Sequence, residues 1–137
     1  MKTILKPLII LIITITNSYS QKLTKAEIFD YLYKKDCLFI DVTLQIIYTE
    51  TGHLKYVKNN NLFGFRVTKD YMKFKSYYHC LDYYISWQNK KYPKFIETTG
   101  KTDYYEFICW VGWKDGKRCS EKGRKYVSYI KRVSLNF

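Results

Sequence analysis

Paired metal-binding cysteines, clustered histidines and long apolar runs are all missing from most of this 137-residue chain. No Cys-x-x-Cys spacing occurs, and His53 and His79 stand alone, so the sequence offers no zinc ligand set and no other metal or cofactor motif. Beyond the N-terminal region, no segment approaches the roughly 20 apolar residues that a membrane-spanning helix needs. Proline (2) and glycine (6) are scattered rather than clustered, and no internal repeat appears. A long linker and a repeat architecture are thereby excluded, leaving one domain. Acidic residues are scarce as well, 12 against 24 lysines and arginines.

What is present begins with a leader. Lys2 and Lys6 precede the apolar run "PLIILIITIT", and Ser18–Ser20 ("SYS") supplies small residues at cleavage positions. This is the pattern of a secretory signal peptide over residues 1–20, cut before Gln21. No cysteine stands there to anchor a lipid. The expected product is a secreted or periplasmic chain, 21–137, with no stable membrane insertion. The full chain carries +12, or about +10 once Lys2 and Lys6 leave with the leader. An exported basic protein favours anionic surfaces such as a cell wall, and export argues against nucleic acid as partner. No strongly amphipathic basic helix stands out, which argues against a membrane-lysing toxin. Four cysteines, Cys37, Cys80, Cys109 and Cys119, lie in the exported part and allow three pairings. Cys109 and Cys119 are near enough in sequence to bridge a loop.

Periodicity predicts a mostly α (α+β) domain. Thr24 with Glu27 forms a capping-box pattern ahead of a helix over 25–35. Asp41 is placed to cap a second helix whose Val42, Ile46 and Ile47 share one face and whose end falls at Glu50–Gly52. Phe63, Phe65 and Val67 alternate, "TKD" suits a turn, and 71–74 return, giving a small hairpin or extended loop. Ser76 caps a third helix with Tyr77, Cys80, Leu81 and Tyr84 on its stripe. "NKKYPKFIETTGK" is expected to break that helix, with Pro93 and Gly100 as punctuation. Asp103 starts a fourth helix carrying Tyr104, Phe107, Ile108 and Val111. "GWKDGKRC" reads as a loop, and Ser120 caps a last helix carrying Tyr126, Val127, Ile130 and Val133.

Glu50 is conspicuous within "YTETGHL". It falls at the negative end of a helix dipole, where a carboxylate is disfavoured. Cleaving a glycosidic bond needs a carboxyl that keeps its proton near neutral pH. Negative potential at a helix end and desolvation by aromatic walls both push a carboxyl that way. Tyr48, Tyr56, Phe63 and Phe65 are candidate walls.

The stretch "LQIIYTETGHLKYVKNNNLFGFR" resembles the glucosaminidase domain of bacterial peptidoglycan hydrolases, glycoside hydrolase family 73 and its lysozyme-like relatives. This is the mannosyl-glycoprotein endo-β-N-acetylglucosaminidase-like domain. "QIIYTETG" (Gln45–Gly52) is similar to that family's "AQxxxETG", and "NNLFGFR" (Asn60–Arg66) to its "NNLFGxK". "YMKFKSYYHCLDYYISWQNKKY" and "DYYEFICWVGWKDGKRCSEKGRKYVSYIKRV" follow the family more loosely, so the resemblance covers nearly all of 21–137.

The resemblance implies a lysozyme-like helical domain with a small β-hairpin or loop lobe beside the active-site groove. It implies cleavage of the β-1,4 bond between N-acetylglucosamine and N-acetylmuramic acid, with Glu50 as general acid and no metal or cofactor. Asn60, Asn61, Phe63 and Gly64 would shape the sugar groove. Tyr71 is a further lining candidate, and Trp113 stands where the family has a tyrosine. Asp70 is the best-placed second carboxylate and Asp115 a poorer one. The implied partners are peptidoglycan glycan strands and the anionic wall, engaged by a monomer. Trp113 in place of tyrosine and the absent motif for a second carboxylate motivate a rival, a catalytically inactive domain that binds wall glycans.

Overall fold

The computed structural model describes residues 22–115 and 118–136, apart from the side chains of 113–118; the expected leader over 1–20 lies outside the described residues. Among those residues the chain forms five helices and two short antiparallel ribbons. It is a mostly helical α+β fold.

Helix α1 (Lys25–Lys34) begins as the sequence predicts. Thr24 accepts from the Glu27 amide at 3.3 Å, and the Thr24 amide donates back to the Glu27 carboxylate at 2.8 Å. Ile28 and Leu32, four apart, are buried against the rest of the fold.

Helix α2 (Ile40–Thr51) starts differently from expectation. Phe39, in a left-handed conformation with φ 54°, precedes it, and Asp41 sits in the first turn without acting as the cap. A buried glutamine fixes this start. Gln88 accepts from the Leu38 amide at 2.9 Å and donates to the Leu38 carbonyl at 2.8 Å. Gln88 thus holds the residue before the N-cap in place, while the first-turn amides have no side-chain cap. Gly52, at φ 55°, ends α2 in the predicted left-handed position. Buried Thr51 donates to the Ile47 carbonyl at 2.6 Å and accepts from the Leu54 amide at 2.9 Å, folding the following loop back on the helix.

The lobe after α2 is mainly loop. Asn59 and Asn60 take left-handed conformations, which asparagine tolerates better than most residues. Buried Asn61 bridges the lobe, donating to the Phe65 and Met72 carbonyls (2.8 and 3.2 Å) and accepting from the Phe65 amide at 3.0 Å. The ribbon is shorter than the alternation suggested: β1 (Arg66–Val67) pairs with β2 (Asp70–Tyr71), Arg66 opposite Tyr71 and Val67 opposite Asp70.

Helix α3 (Tyr77–Thr99) runs through the expected break, with Pro93 inside it. Proline removes the ladder bond to Asn89 and costs about 3 kcal/mol or more in a helix interior. Tyr92 and Phe95, on either side, are buried in the aromatic core, and the Tyr92 hydroxyl donates to the Thr102 carbonyl at 2.5 Å. Tertiary packing overrides the local signal, and the helix ends only at Gly100 (φ 68°).

Helix α4 (Tyr104–Trp113) is capped by Asp103, which accepts from the Glu106 amide at 2.9 Å. The loop expected over "GWKDGKRC" is instead the end of α4 followed by a second ribbon, β3 (Lys114–Asp115) with β4 (Arg118–Cys119). A Cys109–Cys119 disulfide, with Cα atoms 5.5 Å apart, staples that ribbon to α4. Cys37 and Cys80 are buried thiols.

Helix α5 (Glu121–Arg132) is amphipathic and basic, correcting the expectation that no such helix exists. Its Val127 and Ile130 are buried, and it packs on α2 and α4, so its apolar face serves the core. Gln45 of α2 ties these three helices together. It accepts from the Tyr105 hydroxyl at 2.7 Å and donates to the Val133 carbonyl at 3.2 Å. The glutamine of the "AQxxxETG"-like motif therefore orients the helix that carries Glu50.

Candidate functional site

Glu50 projects from the last turn of α2 between two structures distant in sequence. On one side the Tyr126 hydroxyl, from α5, donates to Glu50 Oε1 at 2.6 Å. On the other lies Gly64 of the "NNLFG" loop. Its φ is +66°, and a Cβ there would stand 2.6 Å from Glu50 Oε2. Only a glycine lets the loop backbone come so near the carboxyl.

The residue as a whole remains open to solvent, but enough protein crowds its carboxyl to raise the pKa above the ordinary value of 4.5. Desolvation is the leading cause. The Tyr126 hydrogen bond and the positive charge of Arg66 act in the opposite direction. Burial and the Glu50 charge raise the Tyr126 pKa in turn, which keeps that hydroxyl protonated as a donor. With Oε1 occupied by Tyr126, Oε2 is the oxygen left to carry a transferable proton.

Glu50 lines a cavity of about 220 Å³ with Tyr56, Lys58, Asn61, Gly64 and Tyr71. The β1–β2 ribbon furnishes one wall. Arg66 lies over the Tyr71 ring, 4.1 Å from its centroid, and donates to the Tyr71 hydroxyl at 2.5 Å. A second, apolar slot of about 110 Å³ lies alongside, lined by Phe63, Tyr84, Trp87, Val111, Gly112 and Tyr126 among others. Tyr126 lines this slot, and its hydroxyl meets Glu50, but the slot and the Glu50 cavity share no lining residue.

Of the expected site residues, Glu50, Asn61, Gly64 and Tyr71 come together around one cavity. Asn60 points elsewhere, donating to the Phe74 carbonyl at 2.9 Å and pinning the loop. Phe63 lines the apolar slot and stacks on Tyr84, with centroids 4.0 Å apart and planes 2° from parallel. Asp70 is exposed and does not line the cavity. It pairs with Val67, and alternation along the strand turns it to the opposite face of the ribbon from Tyr71. Trp113 ends α4 and Asp115 lies in β3, but their side chains are outside the described part. Glu50 is the one carboxyl among the six residues lining its cavity.

Sequence reasoning missed Tyr126, Lys58 and Arg66. Tyr126 reads as part of an apolar stripe, and its partner is 76 residues away. The available signal was its chemistry, since a tyrosine on a packing face needs a partner for its hydroxyl. Larger cavities, of about 590 and 400 Å³, lie near the disulfide and share Glu106, Cys119 and Arg124. Size does not select the site; the crowded carboxyl with a raised pKa does. Among the described residues, no group of three or more His, Cys, Asp or Glu is gathered to hold a metal ion, and no helix is long and apolar enough to cross a membrane.

Comparison of the chain with family models, with characterised proteins and with solved structures finds no match.

Proposed function

We propose that this chain is a glycoside hydrolase of the endo-β-N-acetylglucosaminidase type. Its substrate would be the β-1,4 bond between N-acetylglucosamine and N-acetylmuramic acid in peptidoglycan. The observation that carries the proposal is the setting of Glu50. Its carboxyl has a raised pKa, is oriented by Tyr126, and is approached by the backbone of a loop similar to "NNLFG".

In this scheme Glu50 protonates the bridging oxygen as the glycosidic bond breaks. Tyr126 then stabilises the carboxylate left behind, because its hydrogen bond strengthens when the acceptor becomes charged. Tyr56 and Tyr71 offer ring faces to the sugars, and Asn61 keeps the loop that shapes the cavity. Water bonds to the anomeric carbon in place of the departing oxygen, and the proton it releases replaces, by way of solvent, the one Glu50 gave. The leader-like N-terminus and a charge of about +10 without that leader (12 minus Lys2 and Lys6) suit an enzyme exported to an anionic cell wall.

A second reading has one observation in its favour. A domain that binds wall glycans without turnover would need no further carboxyl, and among the described residues none besides Glu50 lines the cavity. Reducing-end release from purified peptidoglycan separates the two. The hydrolase releases reducing ends and Glu50→Gln abolishes the release with folding intact. A pure binder sediments with the wall and releases none.

A further inference from the structure

Two cavities away from Glu50, of about 400 and 590 Å³, share Glu106, Cys119 and Arg124 and so form one groove beside the Cys109–Cys119 disulfide. Both volumes fall in the roughly 300–1,000 Å³ range of small-ligand sites. Arg124, Val127, Ser128 and Lys131 line it at the i, i+3, i+4, i+7 spacing of one helix face. Tyr126 sits about 150° around α5 from that stripe, at roughly 100° per residue, and there its hydroxyl meets Glu50. Helix α5 thus has an acid side and a groove side, and the proposed chemistry uses only the first.

The groove carries both signs of charge on facing walls. From α5 come Arg124, Lys131 and Arg132, and among the described residues no carboxylate lies within ion-pair distance of any of them. Two of these cations are already oriented. Lys131 is 4.6 Å from the centroid of the Tyr105 ring, and Arg124 donates to the Cys119 carbonyl at 3.5 Å. From the start of α4 come two exposed carboxylates. Asp103 accepts from the Glu106 amide at 2.9 Å, and Glu106 pairs with Lys101 at 3.4 Å. Buried Val127 and the disulfide supply an apolar floor between them.

This pattern selects among ligands. A neutral glycan would leave the three cations unanswered. A repeating phosphodiester would set like charge against Asp103 and Glu106. A short peptide with free carboxylates and an amine satisfies both walls, with charge-assisted hydrogen bonds to the arginines and lysine.

We infer that the α4–α5 groove is a second binding site, which takes a short peptide bearing carboxylates and an ammonium, the chemistry of the peptide stems carried by wall glycans. The inference rests on the proposed peptidoglycan substrate for the source of that peptide alone. It adds a site that holds the protein to stems on one side of α5 while Glu50 meets a glycan on the other.

Titration calorimetry on wild-type protein tests this with the N-acetylated tripeptide Ala-γ-D-Glu-Lys, which has two carboxylates and one ammonium. The probe contains no glycosidic bond, so turnover cannot interfere. It should bind saturably. Lys131→Gln combined with Arg132→Gln should weaken it about ten-fold. Ser128→Trp, which fills the groove and keeps every charge, should weaken it as well. Glu106→Gln should weaken the tripeptide and leave its norleucine analogue, which lacks the ammonium, unaffected. All these side chains are exposed, so each variant should keep the wild-type melting temperature. Absence of saturable binding, or undiminished binding by the double variant or by Ser128→Trp, overturns the inference. If a glycerol-phosphate oligomer binds more tightly than the tripeptide, the groove reads phosphodiesters and the peptide assignment falls. Reducing-end release from peptidoglycan bears on the Glu50 proposal alone, so either proposal can fail without the other.

Discussion

Replacing Gly64 by alanine should separate the stability of the fold from the placement of its acid. Two effects meet at this position. The first is backbone strain: a φ of +66° costs a residue with a Cβ about 1–2 kcal/mol. The second is contact, with the new Cβ 2.6 Å from Glu50 Oε2, so the carboxyl must retreat by roughly 0.8 Å to reach the 3.4 Å of ordinary contact. Glu50 is the far end of a flexible side chain and can make that move with little loss of stability. A reacting group misplaced by about 1 Å, however, loses about 10²-fold in rate. Gly100→Ala supplies the control, since its φ is +68° and its Cβ would meet nothing within 4 Å. Both variants should therefore melt several degrees lower, at about 4 °C per kcal/mol for a domain between the small and mid-sized classes. Only Gly64→Ala should lose activity, by about 10²-fold, in a reducing-end assay on purified peptidoglycan. If Gly64→Ala keeps activity within about two-fold of Gly100→Ala, the carboxyl is not held where the chemistry needs it, and the reasoning fails.

Further expectations concern the same carboxyl and the staple. Tyr126→Phe removes a hydrogen bond that lowers the Glu50 pKa, so the alkaline limb of the pH–rate profile should move to higher pH while kcat falls by about ten-fold, equivalent to about 1.4 kcal/mol; an unmoved limb would contradict the assignment of Glu50 as the titrating acid. A carboxyl whose folded pKa is raised favours the folded state below its unfolded value near 4.5 and loses that contribution as pH rises through the folded pKa. Melting curves should accordingly show Glu50→Gln gaining stability relative to wild type as the pH rises above 4.5, and an opposite trend would mean the pKa is not raised. Replacing Cys109 and Cys119 by serine opens a cross-link spanning 10 positions, which should lower stability by about 3 kcal/mol in denaturant titration. No change would mean the ribbon needs no staple.

Local signals reached the parts of the fold that local physics decides. The Thr24–Glu27 box, the Ser76, Asp103 and Ser120 caps, and the Gly52 stop each act within a few residues, and each appears in the structure. Pro93 was misread because the burial of Tyr92 and Phe95 outweighs its local cost, and no window around residue 93 contains that information. Asp41 does not cap α2 because the helix already starts at Ile40, with Phe39 before it in a left-handed conformation and Leu38 held by Gln88 from 50 residues away. The ribbon after α4 was hidden because strands of two residues carry no period to read. At the site, Glu50 and Gly64 were legible through a motif resemblance, and Tyr71 through its place on the lobe. Tyr126 was not, because it reaches Glu50 only after α5 docks on α2. Asp70 looked well placed in sequence, but the ribbon register turns it to the face opposite Tyr71.

The central claim is that Glu50 protonates a glycosidic oxygen in peptidoglycan. Mass spectrometry of the soluble products from purified peptidoglycan, digested in parallel with wild-type and Glu50→Gln protein, tests it most directly. The account predicts fragments with new N-acetylglucosamine reducing ends from the wild type and none from the variant. Identical fragments from both proteins, or no fragments from a well-folded wild type, would contradict it.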